Sequence, residues 1–252
     1  MWPLERMRGR DIVRVGRDRV ERWGPSPQGL ILKGRQSLSH AGKPNASSLT
    51  PAVNALFKDA EIVRDVDLVL ESAWLPVMLL QVGTALWSTT QVEALLRHRL
   101  GQLYPERGEP MSAWEVQLDY RAGDARGLGY GLSPSVKDAL ATAAATTGCR
   151  WTSLQPAFAW GWQRCKARGR SARLWWIWTE QDRALVARVE AGRLIDLNPG
   201  VTLPRDESQW TRLIDIEALR FGVSSDDAPI TVAAWQTPSS EIARRPLRYA
   251  TS

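Results

Sequence analysis

Cysteine and histidine are scarce, with two of each in 252 residues. Cys149 and Cys165 have no metal-ligand spacing and build no disulfide framework, which fits a reducing cytoplasm. His40 and His98 form no recognisable metal or triad pattern. His98 falls in a helical stretch and is expected on its exposed side. No serine sits in a Gly-x-Ser-x-Gly turn, and the chain contains no Gly-Gly dipeptide. Long apolar runs are missing too. The most apolar window, 66–87, is interrupted by Asp67, Glu71, Pro76 and Gln81, whereas a bilayer helix needs roughly twenty nearly unbroken apolar residues. The N-terminus MWPLERMRGR has charge but no apolar segment after it, so no secretory signal is expected. These absences point away from a metalloenzyme, a serine hydrolase and a membrane-spanning protein.

The hydrophobic content of 44% is that of a globular chain, and thirteen tryptophans stand out. The net charge is +6, yet residues 1–50 hold ten Lys or Arg against four acids while the rest is balanced, 23 against 23. Arg164, Lys166, Arg168, Arg170 and Arg173 make a second basic run. Either cluster suits an acidic partner, nucleic acid or lipid, or simply a solvated face.

Alternation and turn chemistry predict short strands at Asp11–Val15, Arg19–Trp23 and Gly29–Lys33, with a turn at Gly16-Arg17-Asp18. Gln36–Thr50 reads as a mobile loop. Thr50 as N-cap and Pro51 at the first helical position open a short helix to about Asp59. A strand follows at Val66–Leu70, with Trp74–Gln81 as its hairpin partner. Helical spacing of Val92, Leu95, Leu96, Leu100 and Leu103 predicts a helix over Thr90–Tyr104. Trp114–Tyr120 and Gly127–Leu132 read as an antiparallel pair. Ser133-Pro134 starts a helix that ends before Gly148, and Pro156–Ala167 is a further helix. Leu174–Trp178, Ala184–Val189 and Arg193–Leu197 form a second meander, turning at Glu190-Ala191-Gly192. Asp206 caps a helix to Phe221, with Gln209 in capping-box position. Pro229–Trp235 is a late strand, and a loose tail follows from Ser239.

Three motifs invite chemistry. Gly127-Leu128-Gly129-Tyr130-Gly131 precedes a helix but fits neither the dinucleotide fingerprint nor the P-loop, so a glycine-containing strand is expected. Asp67 and Glu71, with Asp11, suggest a carboxylate cluster. However, positions 67 and 71 on one strand stand about 13 Å apart, too far to share a metal, and a solvated strand face is expected. Leu174–Asp182, LWWIWTEQD, packs three tryptophans into four residues. Alternation puts Trp176 and Trp178 on one face and Trp175 on the other, with two of the three expected in the core and a partner surface as the other use.

The order meander, helix, strand occurs twice. With VDLVLESAWLPVMLL, TTQVEALLRHRLGQLY, WEVQLDYRAG, SPSVKDALATAAATTGCRWTSLQPAFAWGWQR and RALVARVEAGRLIDL, over residues 60–200, the sequence resembles bacterial proteins related to PilM and to the cytoplasmic part of GspL. Those belong to the actin-like ATPase superfamily. The resemblance implies a mixed α/β (α+β) fold of two ribonuclease-H-like lobes, each opening with an antiparallel meander, over residues 1–168 and 171–252. Nucleotide-binding members place an Asp-x-Gly turn between the first two strands of each lobe. Here Val15-Gly16-Arg17-Asp18 lacks the preceding Asp. Thr179-Glu180-Gln181-Asp182 has no glycine, and Glu180 would repel a phosphate. No cofactor, metal or catalytic residue is therefore expected.

The function implied is a non-catalytic scaffold of a type IV pilus or type II secretion-like assembly. It would be cytoplasmic, held at the inner membrane by a segment of a membrane-anchored partner protein, with Arg14, Arg17 and Arg19 as candidate partner-binding residues. Two other readings compete: a ribonuclease-H-like nucleic-acid-binding module, and a nucleotide-binding actin-like ATPase with aberrant loops.

Overall fold

The structure, a computed structural model, describes residues 10–27, 29–38, 45–58, 65–83, 87–103, 110–120, 124–166, 173–181, 183–204, 207–223 and 230–235. Packing divides them into two compact units, one ending at Ala157 and one beginning at Phe158.

The first unit opens with β1 (Asp11–Val15), β2 (Arg19–Ser26) and β3 (Gly29–Ser37), an antiparallel meander. Helix α1 (Leu49–Phe57) leads to β4 (Asp65–Leu70), which lies parallel to β1 with Val15 opposite Leu70. The chain then forms a small separate sheet from β5 (Val77–Gln81), helix α2 (Thr89–Leu103), β6 (Glu115–Asp119) and β7 (Arg126–Leu132), in strand order β5-β7-β6. Helix α3 (Pro134–Thr147) follows, with Gly148 as its left-handed C-cap at φ 69°. Strand β8 (Arg150–Pro156) returns parallel to β4 and completes the order β3-β2-β1-β4-β8. Val13, Val15, Val20, Val66, Leu68 and Leu70 alternate onto one sheet face, where Leu49, Val53, Val136, Leu140 and Cys149 close the core.

The second unit takes in α4 (Ala157–Lys166) from Phe158 onward, then β9 (Arg173–Thr179), β10 (Arg183–Glu190), β11 (Arg193–Thr202), α5 (Glu207–Arg220) and β12 (Ile230–Ala234). Its strand order is β11-β10-β9-β12, with β12 parallel to β9. This repeats β3-β2-β1-β4 element for element, and α5 stands where α1 does. Ala191 and Gly192 both have positive φ, 48° and 72°, as a two-residue hairpin of primed type requires.

Several expectations are corrected. Trp74–Gln81 is not the hairpin partner of β4: both edges of β4 are occupied by the parallel strands β1 and β8, and β5 pairs with β7 instead. Thr50 is not the N-cap of α1. Ser48 holds that place, Leu49 is the first helical residue, and the Thr50 hydroxyl donates to the Ala139 carbonyl at 2.9 Å. Strand β8 has no counterpart among the expected elements. In the predicted loop, β3 extends to Ser37 and a single 3-10 turn covers Ala46–Ser48. Residues 39–44, the Asp206 cap and the tail from Ser239 lie outside the described residues.

The glycines of Gly127–Gly131 have a packing role. A Cβ at Gly129 would stand 2.4 Å from Leu96 Cδ2, and one at Gly131 2.4 Å from Leu100 Cδ1. Their missing side chains let α2 lie directly on β7.

Candidate functional site in the strand turns

In each unit three residues join the first two strands, and the two turns share one backbone frame. The Gly16 amide donates to the Arg19 carbonyl at 2.8 Å, and the Glu180 amide donates to the Arg183 carbonyl at 2.8 Å. Val15 pairs with Val20, as Thr179 does with Ala184.

The first turn is closed by the residue that follows β4. Parallel pairing of Val15 with Leu70 brings Glu71 beside Gly16. The Glu71 amide donates to the Val15 carbonyl at 3.0 Å, and its own carbonyl accepts from the Trp74 and Leu75 amides at 2.9 and 3.0 Å. The side chain reaches back into the turn. Its Oε2 accepts from the Arg17 amide at 3.1 Å, and its Oε1 pairs with the Arg14 guanidinium. Trp74 Nε1 donates to the Gly16 carbonyl at 2.8 Å. A Cβ at Gly16 would lie 3.3 Å from Glu71 Oε1 and 3.3 Å from the Arg19 carbonyl. Glu71 is buried, and desolvation by burial raises its pKa above the usual carboxylate value, against the opposing pull of Arg14.

In the second turn Glu180 stands where Gly16 stands, and it is buried. Ala234 pairs with Thr179 as Leu70 does with Val15, so Trp235 takes the place of Glu71. Trp160 stacks on Trp235 at 4.2 Å between ring centroids.

All three tryptophans of β9 are buried, so the partner-surface alternative is overturned. Trp176 and Trp178 face α4, where they meet Phe158, Trp162 and Trp160 at centroid distances of 4.6, 5.1 and 6.5 Å. Trp175 stacks on Phe221 from the opposite face. Among the described residues the indole N–H groups of Trp160, Trp176 and Trp178 meet no acceptor, so ring packing holds this cluster.

Asp11, Asp67 and Glu71 are likewise not on a solvated face; all three are buried. Asp11 pairs with Arg22 at 2.5 Å and Lys33 at 3.0 Å, and Arg22 lies over the Phe57 ring. Asp67 Oδ1 accepts from Thr152 and Ser153 hydroxyls, each at 2.6 Å. The sequence placed these acids outside because each needs a cation or hydroxyl that is remote along the chain.

Of the candidate binding residues, Arg14 is internal, its side chain 14% exposed and paired with Glu21 and Glu71. Arg17 and Arg19 are half-buried on the turn, and Arg19 pairs with Asp18 at 2.8 Å. Arg35 adds a second pair to Glu21. Much of the N-terminal basic excess thus neutralises carboxylates of the same sheet. His98 is exposed, as expected, and His40 lies outside the described residues. Among the described residues no three or more His, Cys, Asp or Glu gather in metal-binding positions. Reasoning from the sequence missed Glu71 as a ligand of the turn; parallel pairing of β4 with β1 is the signal that reveals it.

A nucleotide, which the fold resembled above often holds, does not fit these turns: one is filled by a carboxylate and the other carries a buried Glu in place of glycine.

No protein-family model matches the sequence, and no curated protein matches it. Solved structures do. A chain of the PilM-PilN type IV pilus biogenesis complex is 13% identical over 86% of this chain and 67% of that one, with a TM-score of 0.53. A Bacteroides thetaiotaomicron protein with an actin-like ATPase fold is 10% identical over 94% of this chain and 86% of its own, with a TM-score of 0.59. The cytoplasmic domain of EpsL, an inner membrane component of the Vibrio cholerae type II secretion system, is 13% identical over 90% and 82%, but its TM-score of 0.47 carries no argument. The doubled sheet order and the first two likenesses agree with the resemblance seen in the sequence: the chain has the actin-like ATPase fold, built of two ribonuclease-H-like lobes.

Proposed function

We propose that the chain is a non-catalytic scaffold of a type IV pilus or type II secretion-like assembly, and that it binds a segment of an inner-membrane protein. The observation that supports this most is the filled first turn. The Arg17 amide, which would meet a phosphate in a nucleotide-binding member, donates to Glu71 instead. Likeness to a chain of the PilM-PilN complex supports a protein partner. In this reading the two lobes span residues 1–168 and 171–252, and the protein works in the cytoplasm, reaching the membrane through its partner. Among the described residues no helix is long and apolar enough to cross a membrane. Arg17 and Arg19, on the turn, are the arginines best placed to meet an acidic segment, since guanidinium groups fork onto carboxylates; Arg14 would act by holding the turn.

The test is a pull-down from the native host with the wild type and with R17E/R19E, followed by titration of whatever is recovered. A protein bound by the wild type and released more readily by the variant at low salt is the expected result. Recovery of nucleic acid alone would favour the ribonuclease-H-like reading. A saturable heat with ATP and magnesium would favour an ATPase with aberrant loops.

A further inference from the structure

The first turn encloses a carboxyl group supplied by its own chain, that of Glu71. A backbone amide at Arg17 and a guanidinium at Arg14 converge on one carboxylate, and that carboxylate is buried. These are the donors by which proteins hold phosphate and carboxylate: a turn N–H and a planar fork of positive charge. The carboxyl group is held in place from its own backbone, because Glu71 is fixed at both its amide and its carbonyl. Gly16 leaves the space that the carboxylate enters: a side chain there would begin 3.3 Å from Glu71 Oε1.

We propose that Glu71 is an internal ligand that occupies a latent oxyanion site formed by Arg14, Gly16 and Arg17, and that its carboxylate keeps phosphate-class anions out. Truncating it leaves a largely enclosed guanidinium and a turn amide facing the space of one carboxylate. Arg14 then retains its pair with Glu21, and a small free oxyanion fits the vacated position. The turn therefore keeps its liganded shape with no nucleotide bound. This inference rests on the geometry of the turn alone and stands whether or not the scaffold reading is correct.

The test uses the full chain and inorganic phosphate, with chloride at matched ionic strength as control. Thermal unfolding is followed for the wild type, E71A and E71A/R14M. A ligand that binds only the folded state raises its midpoint in a saturable way. The expected result is a saturable rise of several degrees for E71A in phosphate, no rise for the wild type, and none for the double variant. Formate, which restores the missing carboxylate, should act on E71A in the same direction. If E71A does not fold in chloride, its refolding yield in phosphate or formate is the readout, and recovery is expected. Equal shifts in all three proteins, no shift in E71A, or no recovery in either anion would overturn the proposal. None of these outcomes depends on a protein partner, so this test and the pull-down fail separately.

Discussion

Gly161 of α4 lies directly beneath the indole of Trp178: a Cβ at position 161 would stand 2.1 Å from Cζ3 of that ring. Trp178 is buried and wedged beside Trp160 and Trp176, so it has little room to retreat. Helix propensity favours Ala over Gly by about 1 kcal/mol, whereas overpacking a filled core costs roughly 1–3 kcal/mol. Overpacking wins, and G161A should lower the urea midpoint of the second unit. The same substitution in a W178L background should cost less, and a double-mutant cycle measures the coupling. Equal costs in the two backgrounds would rule out the contact as the cause.

Arg14 and Arg19 should respond very unequally to charge reversal. Arg14 sits between two buried carboxylates, and breaking such a pair costs on the order of 3–5 kcal/mol. Arg19 pairs with the exposed side chain of Asp18, a contact of the kind that contributes roughly 0–1 kcal/mol. R14E is expected to unfold the first unit well before the wild type in urea, with R19E close to wild type. A binding defect in R14E alone would therefore report folding, and R17E/R19E is the pair for mapping a partner.

Stability should depend on pH through Glu71. Burial raises its pKa above the ordinary value of 4.5, so the protonated form is favoured by folding. The stabilisation from this group is present in full below the unfolded pKa and is lost as pH rises through the folded pKa. Relative to E71Q, which cannot titrate there, the wild type should lose stability as pH is raised from acid toward neutral. Urea unfolding of both proteins across that range reads the difference, and a difference that does not change with pH would contradict the assignment.

Ala191 offers a stabilising change. It holds a positive φ of 48°, a conformation that costs an L-residue with a Cβ roughly 1–2 kcal/mol. Asparagine tolerates it better, and Asn-Gly is the favoured pair for this turn. A191N should raise the urea midpoint, with a gain of about 0.5–1 kcal/mol, and leave any partner binding unchanged.

The meanders were legible because their turns are short and chemically marked. Gly16-Arg17-Asp18 and Ala191-Gly192 announce reversals, and the short apolar-rich runs DIVRV and RALVARVE mark the strands that enter them. What failed was pairing over distance. Val66–Leu70 invited a local hairpin because Trp74–Gln81 is near in sequence, but its true neighbours are Asp11–Val15 and Arg150–Pro156. The last of these, RWTSLQP, has too little apolar alternation to read as a strand. It holds its place through register with β4 and through hydroxyls that bond Asp67. Burial of the acids was hidden for the same reason: Glu71 reads as a surface residue until Arg14, 57 positions away, is brought to it. Local chemistry fixes elements, while the environment of a charge is set by residues that only topology brings together.

The tryptophan cluster of the second unit also makes that unit visible to light. Ring centroids of the Trp160–Trp235, Trp162–Trp176, Trp176–Trp178 and Trp160–Trp178 pairs lie 4.2, 5.1, 6.1 and 6.5 Å apart. At such spacings the indole transitions mix, and excitation absorbed by one ring is shared among its neighbours. Circular dichroism should therefore carry an exciton signal that arises from packed indoles rather than from backbone. That signal vanishes when the rings separate, so the second unit bears a built-in optical label that needs no dye and reports whether its core is intact.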